Sequence, residues 1–245
     1  MKGLEETFAR LTFEGAANRY PFWNPDGSEV GFTSDRDGLP ALYARPADLS
    51  SETRLLFADP DYALHEGSWT PDGRRLVYRR GSTLTNDMLD LWQAAPDLDS
   101  AATVILETPA TEQNPSLSPD GRWLAYVSDE SGQSEVYVRP FPGPGGRSQV
   151  STDGGVNPVW AHNGREICYL SDGPRYLMVA SVRTDPDLIV ESREPLFRWD
   201  VYDTNLNHPS WDLSPNDQRI LAVGGVRRYI LVQNFSEELR QRRGN

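Results

Sequence analysis

One segment recurs five times along this chain: a short strand ending in Trp or Leu, a tight turn of the Pro-Asp-Gly kind, and an alternating apolar strand. The copies read Asn18-Arg-Tyr-Pro-Phe-Trp-Asn-Pro-Asp-Gly27, His65-Glu-Gly-Ser-Trp-Thr-Pro-Asp-Gly73, Asn114-Pro-Ser-Leu-Ser-Pro-Asp-Gly121, Asn157-Pro-Val-Trp-Ala-His-Asn-Gly164 and His208-Pro-Ser-Trp-Asp-Leu-Ser-Pro-Asn216. The fourth copy has lost Pro-Asp. The fifth is looser: Asn216 and Asp217 replace Asp-Gly, and two extra residues precede the turn. From Asp26 the turn residues recur at Asp72, Asp120, Asn163 and Asn216, at spacings of 46, 48, 43 and 53 residues. A period of about 40–50 residues is the length of one four-stranded propeller blade, a unit that buries its apolar faces only by stacking on its neighbours. The turn chemistry agrees: Pro presets φ at the first central position, Asp tolerates the second, and Gly supplies positive φ at the end.

Each turn leads into a period-2 strand, such as Glu29-Val-Gly-Phe-Thr33 or Trp123-Leu-Ala-Tyr-Val127. Third strands read Ala41–Ala44, Leu89–Trp92, Glu135–Val138, Tyr176–Val179 and Tyr229–Val232. Fourth strands read Thr53–Phe57, Thr103–Leu106, Arg147–Val150 and Pro195–Phe197. The only helical period is the short polar stretch Ser236 to Arg243. The fifth unit lacks a fourth strand, and Thr7-Phe-Ala-Arg-Leu-Thr-Phe13 resembles one. An open sheet edge invites aggregation, and pairing the N-terminal strand with the last blade removes it. The expectation is therefore an all-β protein, a β-propeller of four-stranded antiparallel blades. Five blades are predicted, at about residues 18–60, 65–110, 113–153, 156–200 and 207–235, closed by a strand at 7–13 so that residues 1–245 form one domain.

These repeats resemble the TolB-type, or Pro-Asp-Gly, β-propeller repeat from about Phe8 to Leu239. More narrowly, Ala9–Gly15, Tyr20–Gly27, Phe32–Gly38, Tyr137-Val-Arg-Pro-Phe-Pro-Gly143, Val150–Gly155 and Leu231–Leu239 are similar to the C-terminal propeller of bacterial transmembrane serine/threonine protein kinases. That resemblance implies the sensory half of such a kinase, placed outside the cytoplasmic membrane. The sequence holds no kinase signature: no Gly-rich nucleotide loop, no His-Arg-Asp, no Asp-Phe-Gly. Propellers of that subgroup commonly carry one more repeat ahead of the segment that starts here, so both a truncated fragment and a natural five-bladed member fit the residues. A chain that starts natively at Met1, without an apolar leader, would instead be cytoplasmic.

Composition narrows the function classes. The net charge of −12 disfavours nucleic acid and anionic lipid. No apolar run approaches the roughly 18 residues that span a bilayer. Cys168 is the only cysteine, which excludes an internal disulfide framework; it lies in the strand Glu166–Leu170 and reads as a small buried hydrophobe. A monomer is expected.

Candidate site residues come from aligning the units on Trp23, Trp69, Leu117, Trp160 and Trp211. Three residues earlier stand Tyr20, Glu66, Asn114, Asn157 and His208; one further back stand Arg19, His65, Gln113, Val156 and Asn207. First strands line a propeller's channel, so these positions are expected to form a polar ring at one mouth. The ring reads either as a site for a protein, peptide or small ligand, or as polar residues that hydrate a water-filled channel. His65, Glu66 and His208 are ordinary metal ligands, yet adjacent residues on a strand face opposite ways and no HxH or HExxH spacing gathers them, so no metal and no cofactor is expected. The recurring tryptophans are expected to pack blade against blade. Acidic turn residues Asp35, Asp37, Asp129, Glu130 and Asp172 are favoured for turn geometry rather than as a glycosidase pair. No Gly-x-Ser-x-Gly elbow is present. The expected function is a non-enzymatic recognition or sensor module. The alternatives are a polysaccharide-active hydrolase or lyase of propeller fold, and an excised or engineered fragment without activity of its own.

Overall fold

The computed structural model describes residues 10–12, 17–81, 89–96, 101–173, 175–199, 211–224 and 228–233. They form five antiparallel sheets, each running in chain order from an inner to an outer strand. Sheet A holds β1 (Asn18–Trp23), β2 (Glu29–Ser34), β3 (Ala41–Pro46) and β4 (Arg54–Phe57). Sheet B holds β5 (Ala63–Trp69), β6 (Leu76–Gly81), β7 (Asp90–Ala94) and β8 (Thr103–Leu106). Sheet C holds β9 (Glu112–Leu117), β10 (Trp123–Ser128), β11 (Glu135–Pro140) and β12 (Ser148–Gln149). Sheet D holds β13 (Gly155–Trp160), β14 (Glu166–Ser171), β15 (Tyr176–Arg183) and β16 (Ile189–Arg198). Sheet E has three strands among the described residues: β17 (Trp211–Leu213), β18 (Arg219–Gly224) and β19 (Arg228–Gln233). This is a β-propeller built of such sheets as blades. The expected closing strand at 7–13 and the polar stretch at 236–243 fall largely or wholly outside the described residues.

All five turns close the same way. The residue at the Gly position donates its N–H to the carbonyl three residues earlier, in Gly27→Asn24, Gly73→Thr70, Gly121→Ser118, Gly164→Ala161 and Asp217→Ser214. The four glycines take φ of 68–72° and Asp217 takes 54°, so the fifth turn keeps the left-handed geometry without the residue best suited to it. Successive turns also stack: a Cβ on Gly73 would meet Pro25, one on Gly121 would meet Pro71, and one on Gly164 would meet Pro119. Asp217 continues the series, accepting the backbone N–H groups of His162 and Asn163 from the turn before it.

These contacts correct the register of the fifth unit. Trp23 pairs Val30, Trp69 pairs Leu76, Leu117 pairs Leu124 and Trp160 pairs Ile167, while in sheet E it is Leu213 that pairs Ile220. Leu213, not Trp211, is the counterpart of the recurring residue. Trp211 matches in side-chain chemistry but sits two residues further from the turn.

The core lies between blades. Its largest cluster joins sheets C, D and E through Val127, Val138, Trp160, Ile167, Cys168, Leu177, Trp199, Trp211 and Leu213. Cys168 is fully buried there, and desolvation pushes its thiol far above the ordinary range, in keeping with an inert hydrophobe. Trp69 packs partly and Trp160 and Trp211 pack fully, as expected, but Trp23 departs from that expectation: it is 57% exposed and faces a cavity instead.

Candidate functional site

The inner strands carry a bulge that strand alternation does not foresee. Between Arg19 and Phe22, Gln113 and Ser116, and Val156 and Val159, two residues oppose one on the partner strand. The extra space is taken by Tyr20-Pro21, Asn114-Pro115 and Asn157-Pro158, and the residue before each proline has φ of 53–56°. Proline suits a bulge because it has no N–H to leave unpaired. Asn enters the left-handed region at little cost, whereas Tyr20 stores roughly 1–3 kcal/mol of strain. Sheet B solves the same problem with Gly67, slipping by one residue between His65 and Gly67.

The inner strands of all five sheets wall one cavity of about 1160 Å³. Two positions of the repeat reach the wall in every sheet: Phe22, Ser68, Ser116, Val159 and Asp212, one residue before the register position, and Pro21, Gly67, Pro115, Pro158 and Trp211, two residues before it. Deeper lie Arg19, Tyr20, Glu66 and Asn114; around the mouth stand Trp23, Pro25, Trp69, Pro71, Pro119 and His162. Of the residues expected in the ring, Arg19, Tyr20, Glu66 and Asn114 are therefore on the wall. Asn157 is wholly buried and off it; His65 and Gln113, both half-buried, are off it too. His208 lies outside the described residues. Sequence reasoning missed Ser68, Ser116, Val159 and Asp212. Aligning the fifth unit on its turn would have exposed them as one position of the repeat.

Contacts join the deeper residues across blades. The Tyr20 and His65 rings meet edge-on at 6.2 Å. Glu66 is buried; Arg79 Nε lies 2.6 Å from its Oε2, and Asn114 Nδ2 donates to its Oε1 at 3.1 Å. Arg79 Nη1 in turn donates to Gln113 Oε1 at 3.3 Å. The carboxylate expected to lead ligand binding is thus neutralised by a buried arginine from β6. Removing either partner alone would leave a buried charge. His162 is half exposed, and its Nδ1 lies 2.9 Å from Asp217 Oδ1.

A second buried carboxyl belongs to the junction of sheets B and C. Glu112 is 1% exposed, and its Oε1 accepts from Thr108 Oγ1 at 2.6 Å and Ser128 Oγ at 3.5 Å. Burial, with Asp90 and Glu130 nearby, lifts its pKa to about 7. It is off the cavity wall.

No family model matches the chain. An uncharacterised protein of Agrobacterium fabrum is 25% identical over 178 residues, which cover 66% of this chain and 57% of that protein. The Tol-Pal system protein TolB of Francisella tularensis is 25% identical over 138 residues, 54% of this chain and 31% of TolB. The chain thus spans little more than half the length of the first relative and a third of the second. Among solved structures, TolB of Acinetobacter baumannii superposes with a TM-score of 0.67 at 17% identity, covering 88% of this chain and 51% of that one. A puromycin-hydrolysing peptidase of Mycobacterium tuberculosis reaches 0.62 at 19% identity, over 91% of this chain and 36% of the peptidase. The fold is that of a TolB-type propeller.

Proposed function

We propose that the chain is a non-enzymatic recognition module whose central cavity receives a peptide or an extended segment of a partner protein. The observation that carries this reading is the wall itself. Trp23, Trp69 and Trp211 and a series of prolines give broad, rigid apolar surface, and four of the five inner strands add polar groups to it. The likeness to TolB supports a protein-binding role. A sensory role is its narrower form, supported by the kinase-borne propellers that Tyr137–Gly143 resembles.

A catalytic reading draws on the peptidases among the fold neighbours and on the His162–Asp217 pair. Among the described residues, however, no hydroxyl or thiol lies within hydrogen-bond distance of the His162 ring, so that pair lacks a nucleophile to activate. Its geometry serves the stacking of two turns.

Five blades in one closed domain belong to the same proposal, and a repeated contact supports them. Arg139 Nη1 donates to the carbonyl of Ile105, on the outer strand of the preceding blade, at 3.0 Å. Arg45 Nη1 makes the equivalent bond at 2.8 Å to the carbonyl of Leu11, again 34 residues earlier. Leu11 packs on the cluster of Phe32, Ala41 and Tyr43, and Ile105 packs on the cluster that holds Leu124, Tyr126 and Tyr137. Leu11 therefore stands towards sheet A as an outer strand of a preceding blade stands towards sheet C. Deleting residues 1–13 is expected to expose a sheet edge and yield dimers or aggregates in sedimentation; an unchanged stable monomer refutes the closure.

The recognition reading is tested by selecting a displayed library of random decapeptides on the full chain and on Ser68→Trp, which projects a bulky ring from the wall into the cavity. Enrichment on the parent that vanishes on the blocked variant, with unchanged melting, is the expected result. Enrichment indifferent to the block would move binding elsewhere.

A further inference from the structure

Three carboxylates approach the cavity, and they differ in what already holds them. Glu66 is met by the Arg79 guanidinium and the Asn114 amide. Asp217 accepts from two backbone N–H groups and lies against the His162 ring. Asp212 has neither arrangement. It stands on the wall at the repeat position of Phe22 and Val159, and among the described residues its one hydrogen bond is a local one, Oδ1 accepting the N–H of the next residue, Leu213, at 2.8 Å. Among the described residues no guanidinium, ammonium or imidazole lies within ion-pair distance of it.

Its surroundings are apolar. Trp211 precedes it, Leu221 is its cross-strand partner, and Val159 occupies the neighbouring place in the ring. Asp212 is open to the water of the cavity yet enclosed by protein, and that enclosure, partly offset by the Leu213 N–H and by His162, raises its carboxyl above the ordinary value. A carboxylate in such a place gains more from a cation than one on the outer surface, because the low-dielectric walls strengthen the pairing. The residues at the same repeat position in the other blades are Phe22, Ser68, Ser116 and Val159, so the negative charge of this ring is concentrated at sheet E.

We propose that Asp212 is the specificity residue of the cavity, and that the segment bound there carries a positively charged side chain, Lys or Arg, flanked by apolar residues that lie on the tryptophan and proline wall. This rests on the cavity being a recognition site, and it adds the chemistry of what is recognised. Charge complementarity carries the choice: one unneutralised carboxylate within an apolar rim selects a cation with apolar neighbours over an anionic or uniformly polar segment.

The test is the same decapeptide selection, in buffer of physiological ionic strength, on the parent, on Asp212→Asn, and on Asp61→Asn as a charge control. Asp61 lies in the exposed loop before β5, away from the cavity wall, and controls for attraction of basic peptides to an acidic protein. Peptides enriched on the parent and on Asp61→Asn are expected to carry Lys or Arg beside Leu, Pro or aromatic residues. Asp212→Asn is expected to keep the apolar preference, lose the basic residue, and weaken the best parental peptide about tenfold or more, a ratio of roughly 1.4 kcal/mol. Enrichment of apolar peptides with no basic residue overturns this assignment and leaves the recognition reading standing. Basic enrichment that survives Asp212→Asn also overturns it. No enrichment on the parent overturns both.

Discussion

Replacing Glu112 by Gln should stabilise this protein above neutral pH and leave it unchanged near pH 4.5. The side chain is buried where sheets B and C meet, and its Oε1 already serves the hydroxyls of Thr108 and Ser128, an acceptor that Gln retains. Burial moves the carboxyl from 4.5 to about 7, so the native chain holds this proton more tightly than the unfolded chain does. The sign follows. Below about pH 4.5 both states are protonated and the group contributes nothing. Between about 4.5 and 7 the unfolded chain gives up its proton first and stability falls. Above about 7 both states are ionised and the penalty is constant. A shift of that size corresponds to about 3 kcal/mol if the whole of it is expressed, and residual hydration of a site with two hydroxyl donors reduces it to about 1–3 kcal/mol. For a chain of this length that is an increase of about 2–12 °C in melting temperature. Urea midpoints followed by tryptophan fluorescence at pH 4.5, 6, 7 and 8.5 give the comparison at constant slope. Parallel curves for parent and Glu112→Gln across that range would refute a buried, proton-holding carboxyl at this junction.

Further perturbations test the packing that shapes the cavity. A Cβ at Gly67 would lie 2.6 Å from the Phe22 ring, so Gly67→Ala should cost about 1–3 kcal/mol in urea unfolding, with partial recovery when combined with Phe22→Leu. Arg79→Met leaves Glu66 charged without its partner and should cost about 3–5 kcal/mol, whereas Arg79→Met with Glu66→Gln should recover more than half of that in the same assay. At Asp217, where φ is 54°, Ala loses the acceptors for His162 and Asn163 and also strains the backbone; Gly loses only the acceptors. Asp217→Gly should therefore melt above Asp217→Ala by a margin worth about 1 kcal/mol, and the reverse order would contradict the turn geometry.

What the sequence made legible was local. Pro71-Asp72-Gly73 and Pro119-Asp120-Gly121 specify their turns through the φ preferences of three adjacent residues, and the strands that flank them follow by alternation. The third strands at 41–46, 90–94, 135–140 and 176–183 lie where the period placed them, and so do β4 and β8. β16 runs from Ile189, six residues before the expected Pro195, since Glu191, Arg193 and Glu194 are tolerated on an outer strand that faces solvent on one side.

The site was less legible, because its geometry depends on relations between blades that no single repeat encodes. Asn114 and Asn157 have the same residue type, the same following proline and nearly the same φ, yet one reaches the cavity wall and the other is sealed in the core. Glu66 appears in sequence as a lone acid in a ring of amides; its neutralising partner, Arg79, stands on the next strand, and nothing in the order of residues marks that arginine apart from Arg80 beside it. Arg80 instead stacks at 3.8 Å on Tyr62 and 4.0 Å on Trp92. Trp211 misled for a related reason: a tryptophan is conspicuous by its chemistry, but hydrogen-bond register is counted from the turn, and counted that way Leu213 takes the place beside Trp160. That two-residue correction brings Asp212 onto the wall position shared with Ser68 and Ser116. The residue on which the specificity of the cavity turns becomes visible only when the repeat is aligned by its turns.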